Sequence, residues 1–430
     1  MYDVIIIGGG LGYAAAIVLS KAGKNVALIE KNLNHLGGTC LHNGCIPSKN
    51  LLHRAKTVLE SSEDVFNQNA ALSLEKLQEK IKSIIDSHTK AVTSQLKAAG
   101  VKLIEGEGFV VDDGVEVNGK ILKSEYIIIA DGSSPRIPEG IEVDRKHIIT
   151  SKEALEFTKI PKEISVYGSG AIGLEMASLF AALGSRVNLI YRHEHISKKF
   201  PQNITEKLEE QLKAIGVNLM PNSTITEAKT KNSKVICKIN DKEFTTPYLL
   251  IATGRVPNTG IVKTEKIKIE KGIVTDEYFR TTMPKVFAVG DCNGKLLLAH
   301  AARAQALNVA SQILGKKEKL NLDNIPKFIY TLPLSYASVG KIAEKKATFP
   351  LSYLGICGSY LGDERGVVNL YVDNENFITG ADVLAPNAEE IIGAVTTALN
   401  AELDVETFKK AVFPHPTYSE AIDRALRRMK

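Results

Sequence analysis

The sequence predicts an α/β fold with two Rossmann-like dinucleotide-binding domains and an α+β domain at the C-terminal end. Two glycine-rich loops carry this reading, each entered from a short apolar strand and left through a helix. A change from about Asp323 to mixed strands and helices carries the third part. A chain of 430 residues is long enough for two or three cores.

The first strand is the apolar run Val4-Ile5-Ile6-Ile7, which passes into Gly8-Gly9-Gly10. Ala14 to Ala22 then reads as a helix closed by Gly23, and Val26 to Glu30 as the next strand, which completes a βαβ unit. Ser48 to Glu60 reads as a helix. Leu74, Leu77, Ile81, Ile84, His88, Val92 and Leu96 repeat at helical spacing up to Gly100. A strand-rich stretch follows and includes Tyr126 to Ala130. The βαβ pattern then returns: Ile164 to Tyr167, the loop Gly168-Ser169-Gly170-Ala171-Ile172-Gly173, a helix, and the strand Val187 to Ile190. Two such units imply two nucleotides.

In such loops the glycines let backbone approach a pyrophosphate, and the helix N-terminus offers unpaired N–H groups to its charge. Gly8, Gly10 and Gly12 form the first loop, with Glu30 at the end of the following strand to meet a ribose. Tyr13 stands where a third glycine is usual, which points to a loop shortened by one residue. The second loop is complete through Gly168, Gly170 and Gly173. Its following strand ends in Tyr191 rather than an acid, and Arg192, His193, His195, Lys198 and Lys199 come next. Such a cluster suits the 2′-phosphate of NADP, since arginine grips phosphate bidentately. An exposed basic turn that touches nothing would have the same sequence, so NAD and NADP both stay open.

Cys40 and Cys45 flank Leu-His-Asn-Gly, after Gly37-Gly38 and before Pro47-Ser48-Lys49. One helical turn and a glycine kink can bring the sulfurs together, and a helix N-terminus lowers a thiol's pKa. A metal site would need further ligands. Cys237, Cys292 and Cys357 are scattered, which disfavours it, and these three are expected to pack in cores. The net charge of +5 is small and spread out, so nucleic acid is not an expected partner. No apolar run reaches the ~20 residues that span a bilayer. The opening Met1-Tyr2-Asp3 shows no signal sequence, and a cytoplasmic protein is expected.

The segment Gly37 to Lys49 resembles the signature of the pyridine nucleotide-disulfide oxidoreductases, with the dihydrolipoyl dehydrogenases as the nearest branch. Ile251 to Arg255 and Val286 to Asp291 resemble the family's second FAD segments, and His415-Pro416-Thr417-Tyr418-Ser419-Glu420-Ala421 its catalytic His–Glu pair. The resemblance implies FAD on Gly8, Gly10, Gly12, Glu30, Lys31, Gly38, Thr39, Lys49, Asp291 and Ala299. It implies NAD(P) on Gly168, Gly170, Gly173, Glu175, Tyr191, Arg192 and Gly254. It also implies a redox-active cystine of Cys40 and Cys45, with Cys45 nearer the flavin and Cys40 exchanging with substrate. Lys49 would lie near the flavin and pair with Glu175. His415, held by Glu420, would serve as acid–base from the partner subunit of a homodimer. The implied domains are 1–145 with 255–322 for FAD, 146–254 for NAD(P) and 323–430 for dimerisation.

Departures are present. Ala130-Asp131-Gly132 stands for the family's frequent Ala-Thr-Gly, and Leu334, beside Pro333, stands where an acid is common. Tyr191-Arg192 is closer to the NADPH-using glutathione and mercuric reductases. Ser48 stands before Lys49, where glutathione reductases usually carry a second lysine, and the ending Arg428-Met429-Lys430 lacks the cysteine pair of mercuric reductases. Three functions stay open: a dihydrolipoyl dehydrogenase-like enzyme acting on a lipoyl-bearing carrier, an NADPH-dependent reductase of another small disulfide, and a flavin-binding redox sensor without turnover.

Overall fold

The computed structural model describes residues 1–63, 65–68, 70–316 and 318–429; the terminal Lys430 lies outside the described residues. The chain forms two compact units. One comprises Met1–Ser48, Gln78–Arg136 and Arg255–Leu322; the other comprises Lys49–Leu77, Ile137–Gly254 and Asp323–Lys430.

The first unit is built on a five-stranded parallel sheet, in the order Val286–Ala288, Ser124–Ile129, Tyr2–Ile7, Val26–Glu30 and Lys102–Glu105. Its strands are apolar on both faces because both faces are covered. Val4, Ile6 and Leu28 pack with helix Tyr13–Lys21 on one side, while Ile5, Ile7 and Ile29 pack with Val110, Val115 and Ile273 on the other. Ile5 and Ile6 are fully buried, each contributing about 1.5–3 kcal/mol. The strand order reverses between Tyr2–Ile7 and Ser124–Ile129. Ligands of open α/β sheets bind beyond the carboxyl ends of strands at such a point.

The second unit repeats the design. Its parallel sheet runs Val217–Met220, Arg186–Ile190, Glu163–Tyr167, Leu249–Ile251, Ile148–Ile149. It also holds a five-stranded antiparallel sheet in the order Lys327–Ile329, Ser335–Gly340, Ile378–Ala385, Val367–Val372, Lys345–Pro350. Helices Ala388–Asn400 and Glu420–Leu426 share its core, where Val368, Leu370, Val383, Ile392 and Ile422 are buried. Leu334, the residue in place of an acid, is fully buried, and its carbonyl accepts a hydrogen bond from Gln211 at 3.0 Å.

The anticipated elements appear with shifted ends. The helix expected from Ser48 runs from Cys45 to Glu60, and a short helix, Gly38–Asn43, precedes it. Proline is accepted within a helix's first turn, so Pro47 does not delay the start. Among the described residues no helix is long and apolar enough to cross a membrane, and no group of three or more His, Cys, Asp or Glu could hold a metal ion.

Candidate active site

The two glycine loops share their backbone conformation at the first glycine. Gly8 and Gly168 have φ of +102° and +115°, and a Cβ on either would meet a carbonyl oxygen, of Ala130 or Ala252, at 2.4 Å. In the second loop the close approach of helix and strand falls on Gly173, whose Cβ would lie 1.8 Å from the Gly168 oxygen. In the first it falls on Gly12, whose Cβ would lie 2.7 Å from that of Ala130. Gly12 therefore takes the third-glycine place, one residue early, and Tyr13 begins the helix behind it. Nothing stands within 4 Å of a Cβ on Gly10 or Gly170, so both loops keep an open face.

Around the first loop, Glu30 accepts the Gly9 N–H at 2.6 Å, and the Gly37 N–H bonds the Gly9 carbonyl at 2.8 Å. A Cβ on Gly38 would come within 2.8 Å of the Gly10 Cα. The cysteine helix thus starts directly on the glycine loop. Thr39 and Lys31 are exposed, and Lys31 reaches Glu107 at 3.5 Å. The strand-end acid, the open turn and the switch point together fit the adenosine and pyrophosphate of FAD.

Cys40 lies within helix Gly38–Asn43, and Cys45 opens the next helix. Between them the chain folds back hard: a Cβ at Gly44 would meet the Thr39 oxygen at 2.9 Å and the Cys40 Cα at 3.3 Å. Both cysteines are half-buried. His42, on the intervening turn, places Nε2 3.1 Å from the Leu36 carbonyl, and burial pushes its pKa down.

A second cluster of the same unit gathers on Ser133. Asp291 is the second residue of the short helix Gly290–Asn293 and accepts the Ser133 hydroxyl at 2.5 Å. Arg255 donates through Nε to the same hydroxyl at 2.7 Å and through Nη2 to the Ser133 carbonyl at 2.5 Å, with Asp291 3.9 Å from Nε. Burial lowers the Arg255 pKa, while the charge of Asp291 raises it. Sequence reading missed Ser133, since no local pattern links it to a partner 158 positions away. Ala299 begins helix Ala299–Ile313. Asp131, where the family has threonine, is pushed up to about 6 by burial and by the charges of Glu30 and Glu107, against Lys31.

In the second unit, Lys49 donates to both oxygens of Glu175 at 2.7 Å, and Glu175, 6% exposed, also accepts the Tyr330 N–H at 3.0 Å. Beyond the second glycine loop, Tyr191 is buried at 3% exposure and its hydroxyl is pushed up to about 12, by burial first. Arg192 is exposed and donates to His193 Nε2 at 3.1 Å. Desolvation, then Lys198 and Arg192, push His193 down. His195 faces Glu209 at 3.3 Å, and Ser169 of the glycine loop bonds the Ile196 carbonyl at 2.7 Å, which ties the basic turn to the loop. Gly254 follows the strand Leu249–Ile251 with φ of +114°.

His415 Nδ1 lies 3.0 and 3.2 Å from the two Glu420 oxygens. The Thr417 N–H, 3.0 Å from Glu420, holds that carboxyl below the usual range, and the His415 hydrogen bond adds to this. The imidazole is 74% exposed and the carboxylate 11%. Of the remaining cysteines, Cys237 and Cys292 are buried as expected, and burial pushes both thiols up to about 12. Cys357 is only half-buried, because it sits on an irregular turn rather than within a strand.

Residues 2–306 match the family described as pyridine nucleotide-disulphide oxidoreductase, and residues 325–426 match its dimerisation domain. Dihydrolipoyl dehydrogenase of Bacillus subtilis is 31% identical over 98% of this chain and 97% of its own length. That of Mycoplasma pneumoniae is 32% identical, over 98% and 97%. The solved structure of the HOCl-induced flavoprotein disulfide reductase RclA from Escherichia coli shares the fold, with a TM-score of 0.89 at 24% identity, covering all of both chains. Matched along nearly its whole length, the chain belongs to the pyridine nucleotide-disulphide oxidoreductases and is an FAD- and NAD(P)-dependent disulfide oxidoreductase of dihydrolipoyl dehydrogenase type with a dimerisation domain.

Proposed function

We propose that this enzyme oxidises a lipoyl-type dithiol through Cys40 and Cys45 and delivers the electrons to NAD(P)+. The observation that carries the reading is the His415–Glu420 pair, with Nδ1 facing a carboxylate at 3.0 Å. Nδ1–H bonded to the carboxylate leaves Nε2 to take a proton from a thiol, and the negative charge stabilises the imidazolium that results. One substrate thiolate attacks the Cys40 sulfur and displaces Cys45 as thiolate. His415 takes the proton of the second thiol, which attacks its neighbour, closes the substrate disulfide and releases Cys40. The electron pair then resides on the two cysteines. Bound FAD supplies the two-electron carrier chemistry between this dithiol and the nicotinamide.

Gly8, Gly10, Gly12, Glu30, Lys31, Gly38, Thr39, Asp291 and Ala299 are the residues that would hold FAD, with Lys49 and its partner Glu175 beside it. The loop Gly168–Gly173, Gly254 and the turn at Arg192 would hold the nicotinamide cofactor. The functional domains are proposed as 1–145 with 255–322, 146–254 and 323–430, acting as a homodimer in which His415 serves the partner's cysteines.

The basic turn favours NADP(H), and this supports a second reading: an NADPH-dependent reductase of another small disulfide. Steady-state turnover separates the two. We expect kcat/KM for dihydrolipoamide oxidation to exceed that for glutathione disulfide reduction by at least about 10²-fold. Faster glutathione disulfide reduction would replace the first reading with the second.

A further inference from the structure

The His415–Glu420 turn carries a side chain with no part in the chemistry above. Tyr418 lies between the acid–base pair, 9% exposed. Its hydroxyl donates to Oδ2 of Asp363 and lies 3.2 Å from the Ile356 carbonyl. Asp363 is fully buried, and the same Oδ2 accepts the N–H groups of Gly358 and Tyr360, each at 3.1 Å. Its other oxygen has no hydrogen-bond partner among the described residues. Burying a carboxylate with one oxygen unsatisfied is costly, so an account of the group is needed. Among the described residues three donors converge on one atom, and only the tyrosine reaches it from outside the turn 354–366.

The consequence falls on His415. Its ring is 74% exposed, with Glu420 as its hydrogen-bond partner. Its direction therefore depends on where Glu420 sits, and Glu420 depends on the backbone between them. From within, Thr417 braces that backbone, donating from N to Glu420 at 3.0 Å and from Oγ1 to the Pro414 carbonyl at 2.7 Å. From without, Tyr418 pins it. The Tyr418 ring packs 5.9 Å from that of Tyr360, and Lys56 stands 4.1 Å over Tyr360. Burial, then the Asp363 hydrogen bond and charge, push the Tyr418 hydroxyl above its usual range, and burial pushes the Asp363 carboxyl up as well, so the pair shares a hydrogen bond in a poorly solvated site.

We propose that Asp363, acting through the Tyr418 hydroxyl, is a positioning residue that sets the His415–Glu420 pair for thiol exchange. The proposal rests on the reading of His415 as the acid–base. Simple packing of an aromatic ring would need neither the hydroxyl nor a buried carboxylate, and the test exploits that difference.

Y418F, D363N, the double variant and H415Q are compared as FAD-loaded full-length protein, in rapid mixing without oxygen. We expect Y418F and D363N to keep the rate of reduction by NAD(P)H within about twofold. Exchange with dihydrolipoamide should slow by about 10-fold, less than the 10²-fold that a 1 Å misplacement can cost. The loss should appear in kcat rather than KM, with a moved pH profile, and the double variant should be no slower than the slower single one. H415Q should slow exchange by about 10²-fold or more. If H415Q leaves exchange intact, the acid–base reading fails and the proposal with it. If H415Q slows exchange while Y418F leaves its kcat and pH profile unchanged, the proposal is overturned and the acid–base reading stands. If D363N fails to fold, Y418F decides alone, and equal slowing of both half-reactions in Y418F would mark a structural role and overturn the proposal.

Discussion

Asp131 shows how a single departure acts. Threonine at this place carries no charge, whereas Asp131 must ionise beside Glu30 and Glu107 in a half-buried site that pushes it up to about 6. An unfolded chain ionises the same group near 3.9. The stability it contributes is therefore present below the unfolded value and lost as pH rises through about 6. D131N removes this dependence. We expect the stability gain of D131N over the parent, from urea unfolding with FAD bound, to grow by about 1 kcal/mol between about pH 5 and pH 8. Equal differences at both pH values would contradict the placement of Asp131. The sequence showed that residue 131 was unusual. It could not show the sign of the effect, because Glu107 comes near only through the fold.

At the scale of elements, legibility followed the range of the contacts. Both βαβ units were readable, because strand, turn and helix are neighbours in sequence and their periodicities differ. The short helix Gly38–Asn43 and the early start at Cys45 were less so, since proline and glycine there mimic a loop. Tyr13 already pointed to a shortened first loop, but the reason Gly12 is needed there, the approach of Ala130, lies more than a hundred residues on. The basic turn after Arg186–Ile190 behaves differently from the strand before it. Tyr191 turns inward, and Arg192 is left exposed beside His193. If this turn grips a 2′-phosphate, R192A should raise KM for NADPH by about 10-fold or more and leave NADH kinetics within about twofold. Equal effects on both nucleotides would return the turn to an ordinary solvated surface.

For the whole molecule, the dimerisation domain supports a homodimer, and the proposed role of His415 asks that a second copy complete each site. Cys45 and His415 then belong to different chains at each site. Inactive C45S and H415Q proteins, mixed and refolded together, should recover roughly a quarter of parental activity, because half the dimers are mixed and each mixed dimer has one intact site. No recovery would place both residues on one chain. The proposed chemistry requires Cys40 and Cys45 to carry an electron pair that a pyridine nucleotide can supply. Alkylation under denaturing conditions, read by mass spectrometry, tests this directly. In the oxidised FAD-loaded enzyme we expect Cys237, Cys292 and Cys357 to be labelled, and Cys40 and Cys45 to resist. After stoichiometric NAD(P)H without oxygen, all five cysteines should label. Labelling of Cys40 and Cys45 before the reductant, or no gain of two thiols after it, would contradict the account.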